Sequence, residues 1–85
     1  MKTVIVYTKN NCPECEKVKF NLQWLPPEVK ESHTFEYRNI DENKTHAEDL
    51  DDMGYSSVPV TFIEGEEEER VVGFQMGELQ DLFGI

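Results

Sequence analysis

An apolar, β-branched run, Val4-Ile5-Val6-Tyr7, gives way to a polar turn, Thr8 to Asn11, and then at once to Cys12-Pro13-Glu14-Cys15 and a helical repeat. That junction constrains the chain more than any other feature. Residues 3–7 read as a first strand. From Cys12 onward the apolar residues Cys15, Val18, Leu22 and Leu25 recur at helical spacing, which predicts an amphipathic helix with one face turned inward. Asn11 is the expected N-cap, and Pro13 suits the first turn, where its missing N–H costs nothing. Pro26-Pro27 ends the helix at or before Leu25. The chain has just two cysteines. Placed at random they would fall three apart in about one arrangement in 40, so the C-x-x-C spacing carries information.

The rest of the chain predicts a small mixed α/β domain. Thr34 to Ile40 is rich in strand formers. Residues 45 to 53 fit a second helix with Ala47, Leu50 and Met53 inward and Gly54 as its C′ residue. Val60 to Ile63 reads as a third strand, and Gly65 with Glu66 to Glu69 as a solvated turn. Arg70 to Val72 returns as a short fourth strand. Gly77 to Phe83 forms a last helix with Leu79, Leu82 and Phe83 buried. The order β-α-β-α-β-β-α implies a four-stranded mixed sheet flanked by three helices, with a right-handed first crossover. No repeat or linker divides residues 1–85, so a single domain is expected. At 85 residues its core is modest.

Composition narrows the function classes. The hydrophobic fraction, 38%, suits a globule. The N-terminus lacks the apolar stretch of about 7–15 residues that an export signal needs. No segment approaches the roughly 20 apolar residues of a membrane span. The expected location is therefore the cytoplasm, where a C-x-x-C pair points to catalysis or metal binding rather than a structural staple. The net charge is −10, and no basic cluster is present to track phosphates. Nucleic acid and anionic membrane are excluded as partners on that ground. A partner with a basic docking face would be steered in faster at low salt.

The chemistry centres on the two sulfurs. Their spacing brings them within disulfide reach across the first turn of a helix. The helix-end field, worth about 0.3–1 kcal/mol at the surface and up to ~2 when partly buried, favours the thiolate of Cys12. Lys9 adds to this and Glu14 opposes it, and the balance sets Cys12 below the free-thiol value of about 8.5. Cys12 is then the attacking nucleophile. Cys15, on the inward face, is the resolving thiol. The potential expected is about −200 to −270 mV, and the chemistry needs no bound cofactor. A second signal is Ser56-Ser57-Val58-Pro59-Val60. A proline there opens a strand or marks an edge. A cis Val58-Pro59 bond would leave the N–H and C=O of Val58 free to bind an extended substrate strand.

Tyr7 to Cys15, then Ser57-Val58-Pro59-Val60, then Gly73-Phe74 before the last helix, resemble a glutaredoxin over nearly the whole chain. The resemblance implies a thioredoxin-like fold, a cis proline facing the dithiol, and electron transfer through a mixed disulfide. It also implies that Lys9, Pro13, Glu14, Ser57, Val58, Pro59, Gly73 and Phe74 shape the substrate site. Two departures stand out. Dithiol glutaredoxins usually carry an aromatic residue between the cysteines, where this chain has Glu14. They also usually show a Gly-Gly pair whose surroundings hold a glutathione carboxylate, where this chain has Gly73-Phe74. The Gly-Phe pair is closer to the NrdH-redoxins, although the Arg-Pro-Asp that typically follows it there is absent. That branch implies reduction by thioredoxin reductase, with NADPH as the ultimate source, and electron donation to ribonucleotide reductase. The alternative is a glutathione-dependent glutaredoxin.

Other readings remain beside this one. Cys12 and Cys15 could instead belong to a non-catalytic zinc or iron–sulfur module. His33 and His46 are thirteen apart rather than the usual three to five, which favours solvated histidines over zinc ligands. Glu66 to Glu69 reads as a solvated turn or a docking patch. Trp24 is expected in core or half-buried packing, Tyr55 and Phe74 at the rim of the dithiol, and the protein as a monomer.

Overall fold

The computed structural model describes residues 1–85. Eight elements follow one another: β1 (Lys2–Thr8), α1 (Pro13–Gln23), α2 (Pro27–Glu31), β2 (His33–Asn39), α3 (Lys44–Asp52), β3 (Val60–Ile63), β4 (Val71–Val72) and α4 (Met76–Leu82). The four strands form one mixed sheet in the order β2-β1-β3-β4. β1 pairs parallel with β2, from Lys2↔His33 to Thr8↔Asn39. It pairs antiparallel with β3, from Val4↔Ile63 to Tyr7↔Val60. β4 closes the other edge against β3, through Val60↔Val72 and Thr61↔Val71.

β1 is buried from Val4 to Thr8 without alternation, because both faces of the sheet are covered there. Val4 and Val6 share one cluster with Val18 and Leu22 of α1, Ile63, Val71, and Leu79 of α4. Ile5 and Tyr7 point the other way, into a cluster with Leu50 of α3, Val60 and Phe62. The sheet therefore separates an α1/α4 layer from an α3 layer, and β1 delivers Cys12 to the boundary at its carboxyl end.

The expected elements are present within a residue or two, with one addition. Pro26-Pro27 does more than stop α1. Pro27, at the first helical position, opens the short α2, an arrangement that a missing N–H permits. α3 is capped by Asn43, whose Oδ1 accepts from the Thr45 N–H at 2.9 Å. It is closed by Gly54 at φ +87°, the left-handed position a glycine takes without steric cost.

Several burial expectations are corrected. Trp24 is 73% exposed, because α1 ends at Gln23 and the cap residue turns its ring outward onto exposed Phe20. Met53 lies at the α3 cap and is also exposed. Leu82 and Phe83 are half-buried rather than buried, since the short α4 leaves the edge of its cluster open. His33 and His46 are half-buried rather than solvated. The Nδ1 atom of His33 lies 2.8 Å from the Val29 carbonyl, and its ring stands edge-on to Phe83. In the acidic turn, Glu66 is half-buried and pairs with Lys2 at 3.2 Å, while Glu67, Glu68 and Glu69 are exposed.

At the edge, Arg38 donates to the Tyr7 hydroxyl at 2.9 Å and to Glu36. Burial alone would lower its pKa, but those two partners outweigh it and raise it.

Candidate functional site

The loop that carries Cys12 is pinned from a distance. Asn10 donates its N–H to Asp41 at 3.0 Å, and its side-chain oxygen accepts from Asn39 at 3.0 Å. Asn39 in turn accepts the N–H groups of Asp41 and Glu42. The end of β2 therefore clamps the loop after β1. No local signal marks this clamp, because its members lie 29 and 31 residues apart. Asn11 adopts φ +54°, a left-handed turn that asparagine tolerates. It is not the N-cap.

The cap is Cys12 itself, in an extended conformation, with its Sγ accepting the Cys15 N–H at 3.2 Å. This is the correction that matters most for chemistry. A capping oxygen is replaced by a sulfur that already holds one of the unpaired helix N–H groups. The same N–H will bind a thiolate at Cys12 more strongly than a neutral sulfur. Cys12 and Cys15 form a disulfide, with Cα atoms 5.2 Å apart. Cys12 retains 8% exposure and Cys15 none. An incoming sulfur can thus reach the first cysteine and not the second. Pro13 and Glu14 stand exposed beside them.

The Val58–Pro59 peptide bond is cis. Pro59 is buried, Val58 half-buried and Ser57 exposed. Neither the N–H nor the C=O of Val58 has a hydrogen-bond partner within the chain, whereas the Pro59 carbonyl accepts the Gly73 N–H at 2.8 Å. That bond ties the proline turn to the segment before α4. Gly73 has φ +76°, and a Cβ placed on it would stand 4.0 Å from the Glu14 carboxylate. Phe74 is half-buried against the α1/α4 cluster, with the Lys17 ammonium 5.9 Å from its ring centre.

Glu14, Pro59, Gly73 and Phe74 are therefore linked, directly or through one contact, to the first turns of α1. Lys9 and Ser57 are exposed, and no hydrogen bond or ion pair ties either to that group. Tyr55 packs on the α3-side cluster, as Val58 of the proline turn does, and Arg70 lies over its ring. No group of three or more His, Cys, Asp or Glu side chains is arranged to hold a metal ion. No helix is long and apolar enough to cross a membrane.

Comparison with known proteins agrees with this geometry. The glutaredoxin family model matches residues 4–68. The glutaredoxin-like protein NrdH of Lactococcus lactis subsp. lactis is 34% identical over 79 residues, covering 93% of this chain and 97% of that protein. Among solved structures, the thioredoxin-like protein BC3987 is 30% identical, with a TM-score of 0.71 over 93% of this chain and 97% of its own. The NrdH-redoxin of Escherichia coli superposes with a TM-score of 0.71 over 94% of this chain and 93% of its own. At 24% identity that likeness speaks for the fold, which is thioredoxin-like.

Proposed function

The chain belongs to the glutaredoxin family and is a thiol–disulfide oxidoreductase; from that premise we propose that it is a protein-disulfide reductase of the NrdH type, recycled by a flavin reductase rather than by glutathione. Cys12 thiolate attacks a substrate disulfide, forming a mixed disulfide and releasing one substrate thiol. Cys15 then attacks the Cys12 sulfur. The Cys12–Cys15 bond forms, the mixed disulfide breaks, and the second substrate sulfur leaves and takes up a proton. Two electrons pass to the substrate. Val58, with its peptide groups unpaired, offers the extended substrate segment a short strand to pair with. Pro13 and Ser57 flank that path, and Lys9 supplies a nearby cation.

The observation that carries the choice of reductant is the place of the Glu14 carboxylate beside Gly73, next in the chain to Phe74. Glutathione brings carboxylates, and a glutaredoxin holds one of them at its glycine pair. Here the second glycine is Phe74, and the Glu14 carboxylate faces Gly73. An anion bound there meets a like charge. The name borne by the Lactococcus relative supports the same branch. A ribonucleotide reductase disulfide is the substrate that this branch implies, with NADPH supplying electrons through thioredoxin reductase. The protein acts as a monomer in the cytoplasm and holds no cofactor of its own.

The test is recycling specificity. Oxidised protein is supplied either with thioredoxin reductase and NADPH or with glutathione, glutathione reductase and NADPH. Rapid return of the dithiol in the first mixture alone is expected. Rapid return only in the second would replace the proposal with the glutathione-dependent reading.

A further inference from the structure

The sheet leaves one long edge open. β2 stands at the end of the order β2-β1-β3-β4, so its far side pairs with no strand. It runs for seven residues, against two in β4 at the opposite edge. The bonds at its ends fix which backbone groups face outward. The Ser32 carbonyl takes the Lys2 N–H at 3.2 Å, and the Ile40 N–H donates to the Thr8 carbonyl at 2.8 Å. Ser32 and Ile40 therefore turn their peptide groups toward β1, and so, by the two-residue repeat of a strand, do Thr34, Glu36 and Arg38. Phe35, Tyr37 and Asn39 turn theirs outward. Neither Phe35 nor Tyr37 has a turn or side-chain partner there, and of the Asn39 backbone only the carbonyl is taken, by the Asn43 N–H at 3.1 Å.

Such an edge is a template for another strand, and charged side chains usually blunt it. The charges on β2 turn most strands away and fit one. Glu36 and Arg38 flank Tyr37 and lie on the same face of the sheet, level with Ile5 and Tyr7 of β1. We propose that the edge takes a second copy of this chain, its β2 laid antiparallel about a twofold axis through Tyr37. In that register each Tyr37 N–H donates to the other chain's Tyr37 carbonyl, and each Asn39 N–H donates to the other chain's Phe35 carbonyl. Glu36 of one chain stands directly across from Arg38 of the other. The Glu36–Arg38 pair within each chain thus joins its copy in a ring of four alternating charges. On the opposite face the exposed Tyr37 ring meets its own copy. The neighbouring registers lack this match. An axis through Glu36 sets that carboxylate against itself, one through Arg38 sets two guanidinium groups together, and one through Phe35 leaves Glu36 facing Thr34. The pairing joins two four-stranded sheets and sends the two dithiols to opposite ends. Each chain keeps its own redox pair and acts singly, so the inference is independent of reductant and substrate. One strand from each side makes a small interface, of the weak and reversible class.

The test is sedimentation equilibrium on the oxidised protein, which has no free cysteine to cross-link it. The solution holds about 0.15 M salt, so that repulsion between two chains of net charge −10 is screened beyond ~8 Å. The mass should rise toward that of two chains as the concentration approaches about 1 mM. Glu36→Arg or Arg38→Glu turns two attractive cross-strand pairs into repulsive ones and should weaken association about tenfold or more. The deciding arm mixes these two variants. Across a mixed pair every charge again faces its opposite, so the mixture should associate within about threefold of wild type. The pair within each chain stays broken, so a substitution that acted only by loosening β2 in its own chain would not be repaired by mixing. Circular dichroism checks that each variant is folded. If Arg38→Glu is not, hydrogen exchange on the wild type decides: the Tyr37 amide should exchange freely in dilute solution and about twofold or more slowly near 1 mM, while the Ile40 amide, already bonded to β1, does not change. A mass that stays at one chain up to about 1 mM, a mixture no tighter than the single variants, or a Tyr37 amide indifferent to concentration overturns the proposal and leaves the edge to another protein's strand or to water.

Discussion

Glu14→Gln offers the sharpest probe of the site. The carboxylate of Glu14 lies 4.0 Å from where a Cβ on Gly73 would be. An anion held by the backbone at Gly73 would therefore sit about 5 Å from it. Both groups face solvent, so water's dielectric applies, and the repulsion is about 1 kcal/mol, a factor of roughly 5 in a rate. At about 0.15 M salt the screening length of ~8 Å cuts this to about half, or roughly twofold. Removing the charge also removes an anion beside Cys12, which would speed reaction with any reductant. The informative quantity is therefore the ratio of the recycling rate with glutathione to that with neutral dithiothreitol. Glu14→Gln should raise the ratio about fivefold at low salt and about twofold at physiological salt. Glu14→Lys, which replaces repulsion with attraction, should raise it about 20-fold at low salt. The rates are followed by stopped flow on the oxidised protein. A ratio unchanged in Glu14→Gln, or a gain indifferent to salt, would refute the claim that this carboxylate turns glutathione away.

Three further outcomes are expected. Cys12→Ser should abolish insulin-disulfide reduction, and Cys15→Ser should accumulate mixed disulfides visible by mass spectrometry; a Cys15→Ser protein that traps nothing would reverse the assigned roles. Leu22→Ala, which empties a buried position of the α1/α4 cluster, should cost about 2–5 kcal/mol. Trp24→Ala, at an exposed cap with a single aromatic neighbour, should cost about 1 kcal/mol or less, and urea unfolding followed by circular dichroism will rank the two. Burial raises the Tyr37 pKa above its usual 10. Its neutral form is thus favoured by folding, and stability present below pH 10 should fall as pH rises through the higher folded value; Tyr37→Phe should flatten that alkaline decline in the same unfolding assay.

The glutaredoxin pattern is readable because its pieces are short. The turn from β1 into α1, the proline before β3 and the Gly73-Phe74 pair are each spelled out within a few residues. The errors fall where neighbours along the chain could not decide. Asn11 has the chemistry of a cap, but the clamp of Asn10 by Asn39 and Asp41 bends the loop so that the next residue takes that place. Trp24 has the apolarity of a core residue, yet the helix ends one residue before it and leaves it outside.

Residue order alone determined the helix breaks at Pro26 and Gly54, the strand runs, and the pairing distance of the two sulfurs. Each depends on backbone dihedrals and hydrogen bonds spanning a turn or less, so local chemistry suffices. Tertiary structure decided that Glu14 would face Gly73 and that Thr8 and Thr61 would meet on one face. Those outcomes follow from strand order and register. A shift of one residue in the β1/β3 pairing would turn Thr61 to the opposite side of the sheet, and no stretch of sequence read by itself contains that choice.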